Sequence, residues 1–226
     1  METTKRFKIS KNVLIESTKK IVDNFQLSEH TSFLYDIVTE YINEDPAFET
    51  RFLRTTNKGN IHFSLKKGLF FISAPGAGKS FIFEDLLKTI LLTDDDKLFT
   101  IKLTQPNPLV GARLLLQYDV ITVYKLQSLY SANGLNAMAN KAKCNLYVDD
   151  IGREMKTLKH YGNDLPFMDI FIDGRVRQMK WGFVTHASSN LNLAELKESY
   201  SSATFSRMFQ LFNFIVLDNK IDYRMI

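Results

Sequence analysis

Cysteine, tryptophan and proline are scarce in this chain: one Cys, one Trp and five Pro in 226 residues. A single thiol, Cys144, excludes an internal disulfide, and with no Cys-x-x-Cys pair there is no zinc ribbon or dithiol redox centre. Cys144 opens the run Cys144-Asn145-Leu146-Tyr147-Val148, so a packed, unreactive thiol is expected. No apolar stretch approaches the roughly 18 residues that a membrane-spanning helix needs. Met1 to Lys20 is mixed in charge without an apolar block, so no signal peptide is read there and a reducing cytoplasm fits. A strong charge of one sign is missing too: 29 Lys+Arg against 25 Asp+Glu leave a formal net charge of +4. That balance permits contact with nucleic acid without requiring it. Internal repeats and low-complexity tracts are also absent.

What is present describes an ordinary globular chain. Hydrophobic residues make up 45% and charged residues 24%, and the 18 Phe and 9 Tyr supply core or interface. This length suits one domain with a smaller appendage, and such a domain can bury about 70% of its extended surface. The appendage is read as residues 1–60, a small helical segment. Leu14, Ile21, Val22 and Phe25 recur at near-helical spacing. Ser32 to Asn43 presents Phe33, Leu34, Ile37, Val38, Tyr41 and Ile42 on one face. Asp45-Pro46 reads as a break before a short third helix with Phe48, Phe52 and Leu53, and Thr55 to Asn60 as a loop.

The pattern changes from Gly68, within a core read as 61–226. Leu69-Phe70-Phe71-Ile72 is apolar without alternation, as in a strand covered on both faces. A turn follows, then a helix from Lys79 to Leu92. Further expectations are a strand at Phe99 to Leu103, a loop at Gln105 to Gly111 and a helix at Ala112 to Gln117. Val120 to Tyr124 is ambiguous between strand and helix, and Ser131 to Lys143 between helix and loop. Leu146 to Val148 reads as a buried strand, and Asp164 as a cap for a helix opening around Pro166. Trp181 to Thr185 reads as a strand ending in Ser188-Ser189-Asn190, Asn192 as the cap of Leu193 to Glu198, Ala203 to Phe212 as a helix and Phe214 to Leu217 as a last strand. Strands alternating with helices predict an α/β fold with a mainly parallel sheet.

The strongest chemical signal is Ser73-Ala74-Pro75-Gly76-Ala77-Gly78-Lys79-Ser80, followed by Phe81, between the predicted strand and helix. A triphosphate needs converging N–H donors and a cation in place of its water. Gly76 and Gly78 allow successive amides to face one hollow. Lys79 is placed for the β- and γ-phosphates, and the Ser80 hydroxyl for Mg2+. Ser73 stands where the standard P-loop pattern has its first glycine, so residue 73 must tolerate a negative φ. Asp149 and Asp150 follow the second buried strand, at the end where parallel sheets present ligand groups. Asp149 is assigned to the Mg2+ shell and Asp150 to orienting or deprotonating a water, with Glu154 as the alternative for that role. Asn190 ends a third strand, where its amide would position water or hold a turn. His186 reads as a satisfied structural histidine, and His30, His62 and His160 lack metal-ligand spacing. On sequence alone, Arg207 reads as a surface arginine or a catalytic one.

In this order, Leu146-Tyr147-Val148-Asp149-Asp150-Ile151-Gly152, Ser188-Ser189-Asn190-Leu191, Ser206-Arg207-Met208 and Ile221-Asp222-Tyr223-Arg224 resemble AAA+ ATPases of the bacterial helicase-loader and transposition-helper family, over about residues 66–226. The resemblance implies a P-loop NTPase core that binds and hydrolyses ATP with Mg2+, assembles with ATP and acts in DNA replication as a helicase loader. Its partners would be further copies of itself and a replicative helicase or single-stranded DNA, with no membrane. Its place would be the cytoplasm, the host's if the chain is phage-encoded. Asn190 looks like the sensor of the γ-phosphate, and Arg207 like an arginine finger for ATP on a neighbouring subunit. The usual C-terminal helical lid is not expected. Relatives often read Tyr-Gly-x-Arg-x-x-Ser-Arg where this chain has Tyr200-Ser201-Ser202-Ala203-Thr204-Phe205-Ser206-Arg207. With Ala203 replacing the first arginine, and Ser73 in the loop, slow hydrolysis is expected. Two other readings are a transposition helper on duplex DNA and a P-loop small-molecule kinase. Lys156, Lys159, Arg175, Arg177 and Lys180 are candidates for DNA contact.

Overall fold

The computed structural model describes residues 9–55, 59–92, 118–134, 144–155, 158–160 and 163–217. By its internal contacts the chain divides into two units, one of residues 1–65 with 80–116, the other of 66–79 with 117–226. The expected strand at Phe99 to Leu103, the loop at Gln105 to Gly111 and the helix at Ala112 to Gln117 lie outside the described residues. So do the last motif at Ile221 to Arg224 and most of Ser131 to Lys143.

The first unit opens with α1 (Lys11–Ile21) and α2 (Glu29–Ile42). Leu14, Leu34, Ile37 and Val38 are buried between them. Ser28 caps α2 through a reciprocal bond with Thr31, and the Thr18 and Tyr35 hydroxyls meet at 2.6 Å. Pro46 does open a short helix, α3 (Ala47–Thr50), with Phe48 buried. Phe52 and Leu53, expected in that helix, instead lie in β1 (Phe52–Thr55), which pairs antiparallel with β2 (Gly59–His62). The predicted loop at Thr55 to Asn60 is corrected at its ends, where Gly59 and Asn60 pair with Thr55 and Arg54. Backbone pairing across the strands decided a segment whose composition looked like loop.

The second unit holds five parallel strands in the order β4-β5-β8-β3-β9. These are β3 (Gly68–Ile72), β4 (Tyr118–Thr122), β5 (Asn145–Asp149), β8 (Thr185–Ser189) and β9 (Phe212–Val216). In sequence, β3 is followed by α4 (Lys79–Phe81), and the first unit takes up the chain from Ser80 with a π-helical segment at Ile82–Leu86 and α5 (Leu87–Leu92); the second unit also holds α6 (Val123–Asn133). The hairpin β6 (Leu158–His160) and β7 (Asn163–Leu165), then α7 (Phe167–Met179), α8 (Leu193–Ser199) and α9 (Ser202–Leu211) complete the described elements. β3 sits between β8 and β9 with all five residues buried, as its unbroken apolar run requires. Phe70 meets Phe212 edge-on and Phe214 at a tilt, each at 5.0 Å between ring centroids, and Phe209 continues the cluster. At Gly68 a Cβ would come within 1.6 Å of the Thr185 carbonyl oxygen, so only glycine lets β3 pack against β8 there. No described helix is long and apolar enough to cross a membrane.

Four local expectations are corrected. Asp164 lies in β7, and α7 starts after Pro166 without a side-chain cap. The strand read from Trp181 to its end at Ser188-Ser189-Asn190 begins only at Thr185 and runs to Ser189. Gly182, at φ 87°, closes the end of α7, and Trp181 is exposed. Within the strand, Thr185, Ser188 and Ser189 are fully buried, and each hydroxyl has a partner. Cys144 is half-buried, not packed away, with Sγ 3.8 Å from Asp119. Arg175, a candidate for DNA contact, is 2% exposed. Its guanidinium donates to the Thr185 hydroxyl and to the carbonyls of Cys144 and Val184, so it ties α7 to β5 and β8 from inside.

Candidate nucleotide site

The sheet delivers its polar ends to one edge. The chain leaves β3 for the far side of the sheet at β4 and works back through β5 and β8 before crossing to β9. Ligand groups collect at the carboxyl ends of strands where direction reverses in this way. Residues 73–79 follow β3, Asp149 ends β5, and Asn190 comes one residue after β8.

In the loop, Gly76 has φ 81° and Gly78 φ 80°, with Ala77 between them. Left-handed residues spaced in this way turn neighbouring amides toward a shared hollow. A methyl group on Gly78 would meet nothing within 4 Å, so that side of the loop is open and the glycine is required by backbone conformation alone. Among the described residues, the non-glycines with left-handed φ are Asn24, Glu44 and Asp150. Ser73 is not one of them. The serine therefore sits in this loop without backbone strain, and its Oγ donates to the Ala74 carbonyl at 2.9 Å. Ala74 and Pro75 are exposed on the outer curve. Ser80 and Phe81 follow Lys79 in α4, both half-buried.

Lys79 is 5% exposed. Its ammonium lies 2.9 Å from the Ser73 and Ala74 carbonyls, 3.0 Å from Ser73 Oγ and 3.0 Å from Asn190 Oδ1. Asn190 turns its other end to Asp150, with Nδ2 donating to Oδ1 at 2.6 Å. The amide's polarity is dictated by its neighbours: oxygen to the cation, nitrogen to the carboxylate. Lys79, Asn190 and Asp150 thus form one bonded row across β3, β8 and β5. Asp150 has φ 63°, a conformation that aspartate tolerates better than most residues. Its second oxygen meets Arg153 at 3.3 Å.

Asp149 is held from two sides. Its Oδ1 accepts from the Tyr147 hydroxyl at 2.9 Å and from the buried Ser188 hydroxyl, which also accepts the Asp150 amide at 3.2 Å. Ser188 had no assigned role in the sequence. Among the described residues, no group of three or more His, Cys, Asp and Glu forms a metal-holding cluster.

Other assigned residues lie apart from this row. Both Glu154 oxygens are engaged, one by the Gly152 amide at 2.8 Å and one by the Tyr200 hydroxyl, which counts against the water role. Arg207 pairs with Asp173 on α7 at 3.2 Å, and no hydrogen bond or ion pair joins it to the loop. His186 is buried and accepts the Leu69 amide on Nδ1 at 3.1 Å. Burial, with Arg175 nearby, pushes its pKa down to about 3, so it is neutral and structural. Arg177 is exposed and paired with Asp173, and Lys180 is exposed. The side chains of Lys156 and Lys159 lie outside the described residues.

No family model and no curated protein matches the chain. Among solved structures it is similar to AMPPCP-bound DnaA from Aquifex aeolicus, at 14% identity and a TM-score of 0.47. The match covers 89% of this chain and 51% of that one, so the chain spans about half the length of that protein.

Proposed function

We propose that residues 73–80 bind the phosphates of ATP, and that the chain is an AAA+-type ATPase that assembles with ATP and acts as a helicase loader. The observation that carries the nucleotide reading is the bonded row Lys79-Asn190-Asp150 beside two left-handed glycines. It sets one cation, one amide and one carboxylate at the strand ends next to an open ring of amides. These residues fit a triphosphate. The amide N–H groups of the loop would donate to its oxygens, and the ammonium, already facing four oxygens, would exchange some of them for phosphate. Mg2+, carried by Ser80 and Asp149, would balance the charge that builds on the terminal phosphate. Asp150 would orient or deprotonate the attacking water, with Asn190 fixing both the carboxylate and Lys79.

The assembly part of the reading rests on Arg207. Its side chain is 42% exposed and is held by a carboxylate away from its own loop, so it is available to a neighbouring subunit. A guanidinium supplied in trans can stabilise phosphoryl-transfer charge strongly. Single-stranded DNA or a replicative helicase would be the object of the assembly.

Calorimetric titration with ATP and Mg2+ tests the core of this. Wild-type protein should bind, and Lys79→Ala should weaken binding at least about 100-fold, the loss of two charge-assisted bonds, with its circular dichroism unchanged. Equal affinities would refute the site. Native mass in ATP, and anisotropy of a labelled oligonucleotide with and without ATP, test the loader reading. A monomer indifferent to both would sink it.

A further inference from the structure

Glu154 and Tyr200 are far apart in sequence and belong to neither the loop nor its row of polar groups, yet they bond to each other. We infer that this pair is a positioning link: it fixes the turn that carries Asp150 to the helix that carries Arg207. The inference rests on the ATPase reading above for its consequence, but its geometry is independent of it.

The turn after β5 is constrained at every step. Asp150 is left-handed, the Ile151 amide donates to the Ser188 carbonyl at 2.9 Å, and Gly152 has φ 102°. A Cβ on Gly152 would stand 2.5 Å from the Leu191 side chain, so the turn is pressed against the segment after β8. Glu154 closes it by accepting the Gly152 amide at 2.8 Å on Oε2. The other oxygen, Oε1, accepts the Tyr200 hydroxyl.

Tyr200 is itself at a junction. It ends α8, and the next residue, Ser201, caps α9 by accepting the Thr204 amide at 3.2 Å. Arg207 lies one turn further along α9. Two more bonds hold that helix to α7: Thr204 to Asp169 and Arg207 to Asp173, a matched pair of carboxylates one turn apart. The Tyr200 hydroxyl is therefore a bond that joins the start of this helix pair to the Asp150 turn, in addition to the anchoring of α7 by Arg175. Burial, then the Glu154 charge, holds the tyrosine pKa well above its ordinary value, so the hydroxyl remains a donor at working pH.

The link lines a cavity of about 200 Å³ shared with Met155, Met168 and Asp169. That is room for several waters. Water can therefore solvate Glu154 when the tyrosine hydroxyl is removed, and Tyr200→Phe should fold.

The test uses Tyr200→Phe and the double variant Tyr200→Phe/Glu154→Gln, in which the second change removes the unpaired charge. Amide hydrogen exchange of the whole chain without nucleotide reads the link directly. Exchange should quicken together at Ile151 and at Thr204 and Phe205, in both variants, with β3 and β8 unaffected. Steady-state turnover of ATP reads its consequence. It should fall about 10- to 100-fold, the usual effect of a roughly 1 Å misplacement, with the dissociation constant of ATP within about twofold of wild type. The double variant should recover thermal stability but not turnover, which a merely structural role would restore. Exchange confined to residues 199–201, or normal turnover in both variants, overturns the inference. A wild-type protein that neither binds nor hydrolyses ATP defeats the nucleotide reading instead, and the exchange pattern then decides the link alone.

Discussion

Replacing Asn190 with alanine removes the middle of the Lys79-Asn190-Asp150 row, and its effects separate three quantities. Two hydrogen bonds to charged groups are lost, at 3.0 and 2.6 Å. Each such bond contributes about 1.5–3 kcal/mol in isolation. The sum overstates the loss, because neither partner is stranded. Lys79 keeps three oxygens for its three protons, and Asp150, with a side chain 25% exposed, keeps Arg153 and water. About 1.5–3 kcal/mol in total is expected, hence a fall in Tm of roughly 3–10 °C for a chain of this size. The loop glycines and Lys79 remain, so the dissociation constant for ATP should change by less than about threefold, under 0.7 kcal/mol. Turnover should fall about 10²- to 10³-fold, as when one preorganised polar group is withdrawn from developing charge. Thermal melting, calorimetry and a phosphate-release assay on the same preparation give all three. An unchanged Tm would refute the row. A tenfold loss of affinity with normal turnover would assign the amide to ground-state binding and refute its proposed role.

Asp150→Asn keeps the left-handed turn, since asparagine accepts φ 63° as readily, and should retain ATP binding while hydrolysis drops at least tenfold; undiminished phosphate release would exclude the carboxylate from the chemistry. Arg207→Ala loses only a half-exposed ion pair with Asp173, so stability should shift by less than about 1 kcal/mol while ATP-driven assembly and turnover are lost. Light scattering showing assembly equal to wild type would remove the finger. His186, neutral in the fold with its pKa lowered to about 3, takes up a proton on unfolding below its ordinary value of 6.5. Its contribution is thus fully present above about pH 6.5 and is lost as pH falls from there toward 3. Urea melts between pH 7 and 4.5 should show that loss, and it should shrink in His186→Asn; identical slopes would contradict it.

The loop was legible because phosphate binding by backbone amides needs glycine, and glycine at two alternate positions before Lys-Ser marks the sequence itself. β3 was legible because a strand covered on both faces admits only apolar residues, and β5 because three such residues end in two carboxylates. β8 was legible at its Ser188-Ser189 end, but its start was read at Trp181, four residues before Thr185. It is buried yet polar, and its hydroxyls are tolerated only because Asp149, Arg175 and the Ile151 carbonyl satisfy them. No local window contains those partners. Arg175 was misjudged for the same reason: a guanidinium on a helix reads as solvent-facing until three acceptors, from β8 and from the residues just before β5 and β8, surround it.

By itself, then, the sequence determined the periodicity of an α/β core, a loop of left-handed glycines and the chemical types of its polar residues, because these are properties of short stretches of chain. Only the tertiary structure decided that Asn190 bridges Lys79 and Asp150, that Glu154 is bound by Tyr200 and that Arg207 is held by Asp173. Each of those is a hydrogen bond or ion pair between elements 30 or more residues apart. Such bonds are set by which strands and helices lie side by side, which no short stretch of residues encodes.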